Sequence, residues 1–80
     1  MIIAPSIETQ REIDSIYTRA IARLERDLGW EAQQAHNAVA QIAQAYGVFL
    51  DDVAQAILGA RSIKRGLAPV VQAVELRRRR

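Results

Sequence analysis

Between Ile7 and Leu28 the apolar residues Ile13, Ile16, Tyr17, Ala20, Ile21, Leu24 and Leu28 recur three and four positions apart. At about 100° per residue they share one arc of a helix. Ser6 after Pro5, or Thr9, is placed to cap its start, and Glu8 and Glu12 suit its positive N-terminal end. Gly29 ends it, because glycine enters the left-handed conformation without steric cost. At about six turns this helix is long for so short a chain, and part of its apolar face is expected to lack intramolecular cover.

A second helix is predicted over residues 31–46, with Ala32, Ala35, Val39, Ile42, Ala43 and Tyr46 as its buried stripe. Three alanines in that stripe let a neighbouring helix approach closely, and Trp30 is placed to staple the entry. Gly47 is the stop. A third helix begins near Leu50 or Asp51, with Asp51 and Asp52 favoured in its first turn. Val53, Ala54, Ile57 and Leu58 form its inner face, and it ends at Gly59 or runs on to Lys64. Pro69 suits the first turn of a fourth helix, where Leu67, Val70, Val71 and Val74 keep helical spacing. The predicted fold is all-α, a small three-helix bundle over residues 1–66 with an amphipathic C-terminal helix and arginine tail over residues 67–80. That last helix folds onto the bundle, or pairs with another copy or a partner.

Composition narrows the chemistry. Half of the 80 residues are hydrophobic, but only four are aromatic and many are alanine, so the core is thin and closely packed. A core of this size favours self-association, and a homodimer through helix 1 or the C-terminal segment is expected. The chain has no cysteine and one histidine, which leaves no disulfide framework and no thiolate or polyhistidine metal site. No apolar run approaches the ~20 residues that span a bilayer, and the first residues lack the basic start of a signal peptide. The expectation is a cytoplasmic protein with no membrane contact, no cofactor and no catalytic activity.

The net charge of +2 hides an asymmetry. Residues 1–60 hold four Arg and eight Asp or Glu; residues 61–80 hold seven Lys or Arg and only Glu75. A basic end of this kind suits phosphate, anionic lipid or an acidic protein. Arg19, Arg23 and Arg26 form a second basic feature, at i, i+4 and i+7 on one face of helix 1. Guanidinium groups in such a stripe grip phosphates and stack on splayed bases; the plain alternative is a solvated face with local pairs such as Arg23 with Asp27. Arg61, Lys64 and Arg65 extend the same patch if helices 1 and 3 are neighbours. His36 reads as a half-buried, hydrogen-bonded core histidine without a nucleophile at useful spacing. Asp51 and Asp52 read as capping residues. Trp30, Tyr17, Tyr46 and Phe49 read as core or interface residues, and exposure of Trp30 or Phe49 would mark a stacking or partner surface.

Residues 39–58 have helix-turn-helix spacing. Ala43 permits the close crossing, Gly47 makes the turn and Val53 locks the second helix. A recognition helix, however, presents its N-terminal residues to DNA, and here those are Phe49, Leu50, Asp51 and Asp52, with no Lys or Arg between Arg26 and Arg61.

Over the longer span of residues 20–58, Gly29, Ala35, Ala43 and Leu50-Asp51-Asp52-Val53-Ala54 are spaced without a gap as in another family. On these residues the chain resembles the ANTAR domain, the RNA-binding module of bacterial transcription antitermination regulators. The resemblance implies a three-helix bundle, often dimerised by a preceding coiled-coil helix, that grips an RNA hairpin and biases terminator formation. Two positions depart from the family pattern: Ala20-Ile21-Ala22 stands where Ala-Lys-Gly is usual, and His36 where an aromatic is common. The resulting expectation is a small RNA-binding regulator, with Arg19, Arg23, Arg26, Arg61, Lys64 and Arg65 contacting the RNA. The alternatives are a helical module that binds or inhibits a protein partner and, third, a DNA-binding helix-turn-helix.

Overall fold

The computed structural model describes the backbone of residues 7–78 and the side chains of residues 15–78. Ser6, the side chains of Glu8, Thr9, Glu12 and Ile13, and Arg79 and Arg80 lie outside the described residues, so the expected first-helix cap and the end of the tail fall there. Within them the fold is all-α: α1 is Ile7–Leu28, α2 is Ala32–Tyr46, α3 is Leu50–Gly59 and α4 is Ala68–Arg78.

Glycine makes both corners of the first three helices. Gly29 and Gly47 sit at φ 68° and 65°, the left-handed region in which a Cβ is strained. At the second corner Val48 N–H donates back to the Ala43 carbonyl at 3.0 Å, satisfying an acceptor that the helix end leaves open. The loop from α2 to α3 is therefore short, and the two helices pack against each other.

α3 is the central element and contacts each of the other three helices. Val53, Ala54, Ala56 and Ile57 are all buried, an arc of about 160° at 100° per residue. Against it lie Ala20, Ile21 and Leu24 of α1, Ala35, Val39 and Ala43 of α2, and Val70 and Val74 of α4. The alanines leave room for close helix approach, so a chain with few large side chains still encloses a core.

The structure corrects some expectations about the core and decides between the alternatives left open for α3 and α4. Ala32 is exposed, so the stripe of α2 begins at Ala35. Ala56 is buried while Leu58 is only partly so, because α3 is covered from several sides and its inner face is wider than a single stripe. α3 stops at Gly59 and does not reach Lys64. Ile63, in the connection to α4, is fully buried, and Gly66 N–H closes a turn onto its carbonyl at 2.9 Å. Finally, α4 shares the one core with α1, α2 and α3. Fully burying a valine is worth about 1.5–3 kcal/mol, and Val70 and Val74 each contribute on that scale, which holds α4 onto the bundle. No helix among the described residues is long and apolar enough to cross a membrane.

Candidate nucleic-acid interface

α3 ends without a left-handed cap. Ala60 follows it in extended backbone, at φ −71° and ψ 137°, so the last carbonyls of the helix need partners from elsewhere. Arg23 of α1 supplies them. Its Nη1 donates to the Ile57 carbonyl and, at 3.3 Å, to that of Leu58; its Nη2 donates to the Arg61 carbonyl at 3.3 Å. The positive guanidinium also opposes the negative end of the helix dipole.

Asp27, one turn further along α1, steadies this arginine by accepting from Arg23 Nε at 3.2 Å. The two side chains are only 15% and 14% exposed. Arg26 Nε donates to the other oxygen of Asp27 at 3.3 Å, but Arg26 itself is 71% exposed. Partial burial alone would raise the pKa of Asp27; the hydrogen bonds from Arg23 and Arg26 outweigh it and hold the carboxyl below its usual value.

Arg23 is thus a clamp between α1 and α3, and its donors face protein acceptors. The local pair of Arg23 with Asp27, given above as the plain alternative to an RNA contact, is the one the side chain makes. The same clamp reaches the backbone of the basic segment after α3. By bonding the Arg61 carbonyl it brings the arginine face of α1 against the segment that follows α3. Arg19 and Arg26 on α1 and Arg61, Lys64 and Arg65 after α3 are all exposed. Asp27 is the carboxylate that pairs with two of the arginines of α1, Arg23 and Arg26.

Other expected features fall elsewhere. His36 is exposed, not half-buried, because it lies on the outer edge of α2, where α1 reaches it through Tyr17. A hydrogen bond of 2.8 Å joins Tyr17 Oη and His36 Nδ1, with the ring centroids 5.3 Å apart. Burial raises the pKa of Tyr17. Asp52 caps α3 as expected, its Oδ2 accepting from Phe49 N–H at 3.1 Å. Asp51 Oδ2 accepts from Gln55 at 3.0 Å, and Gln55 Oε1 accepts from Arg77 at 3.1 Å, joining the first turns of α3 to the last turn of α4. Those same ends carry the exposed apolar side chains Phe49, Leu50 and Leu76, at 81%, 46% and 66%.

One surface has no counterpart in the expected site. α2 contains no charged residue, and Gln33, Gln34, Asn37 and Gln41 are exposed along it. The signal available was the absence of Lys, Arg, Asp and Glu from a 15-residue helix. Comparison with known family models, curated proteins and solved structures finds no match for this chain.

Proposed function

We propose that the protein is a small RNA-binding regulator that holds a structured RNA through the basic junction of α1 with the segment after α3. The observation that carries this reading is the hydrogen bond from Arg23 to the Arg61 carbonyl. It ties α1 to the backbone of the segment that carries the second basic cluster, 35 residues or more further along the chain. Arg19, Arg26, Arg61, Lys64 and Arg65 provide the phosphate contacts, and Arg23 positions them. The resemblance to ANTAR domains supports the same reading and suggests antitermination as its outcome. Pairing of two copies through α1 belongs to this proposal, and sedimentation equilibrium measures it.

DNA reading by α3 is less well supported. Only its two terminal residues, Leu50 and Gly59, are exposed, so the helix has no open flank to lay in a groove. A protein partner is the second reading, favoured by Phe49, Leu50 and Leu76 at the opposite end of α3 from the Arg23 clamp.

The test is binding of a tandem RNA hairpin, an unstructured RNA and a DNA duplex across a salt series. The proposal expects hairpin-selective binding that falls sharply in R19A/R26A/R61A. Equal, steeply salt-dependent binding to all three would reduce the interaction to a sticky basic tail. Absence of binding at low salt would overturn the RNA reading in favour of a protein partner.

A further inference from the structure

Beside the α1–α2 corner is an open groove of about 550 Å³, lined by Trp30, Glu31, Gln33, Gln34, Asn37, Ala38 and Gln41. Three properties limit what it can receive. Trp30 packs against the core with part of its surface and lines the groove with another part, which makes it a rooted platform for a flat ring. The groove has no cationic lining residue, and Glu31 would repel a phosphate. Its remaining polar groups are carboxamides, each carrying a donor and an acceptor in one plane.

Two of these amides are already ordered. Gln33 Nε2 donates to Asn37 Oδ1 at 3.0 Å. That bond leaves Gln33 Oε1 as an acceptor and Asn37 Nδ2 as a donor one helical turn apart. Adenine presents the complement on one edge, an exocyclic amine beside a ring nitrogen, and asparagine and glutamine are the side chains that pair with it in both positions. Glu31 adds a further acceptor for an amino group. Arg26, in the last turn of α1, precedes Trp30 by four residues.

We propose that the α2 groove reads an unpaired adenine of the bound RNA, with Trp30 stacking on the base and Gln33 and Asn37 recognising its edge. This rests on the RNA reading above and adds to it the place and chemistry of sequence selection. Phosphate contacts supply grip, and the uncharged groove supplies the choice of base.

Trp30 is the one tryptophan in the chain, so its emission reports on the groove directly. The experiment titrates the protein with four hairpins of identical stem whose loops are all adenine, cytidine, guanosine or uridine, following both affinity and Trp30 fluorescence. The adenine loop should bind at least about five-fold tighter than the uridine loop, the low end for a base read by a side-chain pair, and should quench Trp30. Asn37→Ala and Gln33→Ala should each bring the adenine loop towards the uridine value. Equal affinity for all four loops, a preference for another base, or binding without a change in emission would overturn base reading while leaving RNA binding intact. No binding to any hairpin at low salt would overturn both.

Discussion

Arg23 and Arg26 stand three residues apart on the same helix and bond to the same carboxylate, yet they belong to different regions of the molecule. Arg23 lies in the α1–α3 junction, with its donors on Asp27 and on the carbonyls of Ile57, Leu58 and Arg61. Arg26 lies on the outer rim with Arg19, and most of its side chain meets solvent. The chemistry of the two guanidinium groups is identical. What differs is the presence of an uncapped helix end opposite one of them. A basic stripe is therefore not a list of equivalent ligand contacts: the residue nearest the neighbouring helix becomes structural, and its neighbours remain available to a partner.

The strongest way to break this comparison is to collapse the junction. Ile57 is fully buried beside the clamp, so Ile57→Ala should destabilise the fold by about 2–5 kcal/mol, measured by urea unfolding. Rim and junction would then be lost together. A more selective break is Arg23→Ala, which leaves the carbonyls at the end of α3 without their donor. The expected cost is about 1–3 kcal/mol, again from urea unfolding. A stability change within ~0.5 kcal/mol, the scale of an ordinary surface substitution, would place Arg23 with the rim residues and restore it as a ligand contact.

The triple substitution R19A/R26A/R61A sharpens the contrast from the other side. Its stability should change little, while the slope of log affinity against log salt for a hairpin should fall by about 0.7–0.9 for each phosphate contact removed. A large loss of stability with an unchanged slope would reverse the assignment of the two regions. The smallest effect is on pH dependence. Asp27 has a folded-state pKa below its ordinary value, so its ionised form contributes stability at neutral pH. That contribution is lost as the pH falls below about 4, the ordinary carboxylate value, towards the folded value. Thermal unfolding from pH 6 to pH 3 should show this decline, and it should be shallower in Asp27→Asn. An identical pH profile for the two proteins would separate Asp27 from the clamp.

The helix pattern was legible to a useful degree. Apolar spacing located all four helices, and Gly29 and Gly47 marked the first two corners. Asp52 was recognisable as a cap because its role depends on residues three positions away. His36 was misplaced inward because its position at the edge of a stripe does not say how far a neighbouring helix extends over it. The uncharged face of α2 was visible in composition, but its groove with Trp30 exists only once the α1–α2 corner is built.

The chain by itself determined the all-α class, the breaks between helices and the sorting of most apolar residues into faces. These follow from forces acting over one or two turns: helical periodicity, capping and the conformational freedom of glycine. Tertiary packing decided the rest. It chose Arg23 over Arg19 and Arg26 as the clamp, buried the isolated Ile63, drew α4 into the common core and brought Arg61 against α1. Each of these depends on which helix end or face stands opposite, often 30 or more residues away along the chain. Local periodicity gives a side chain its direction on its own helix, and only the packed neighbours supply what that direction meets.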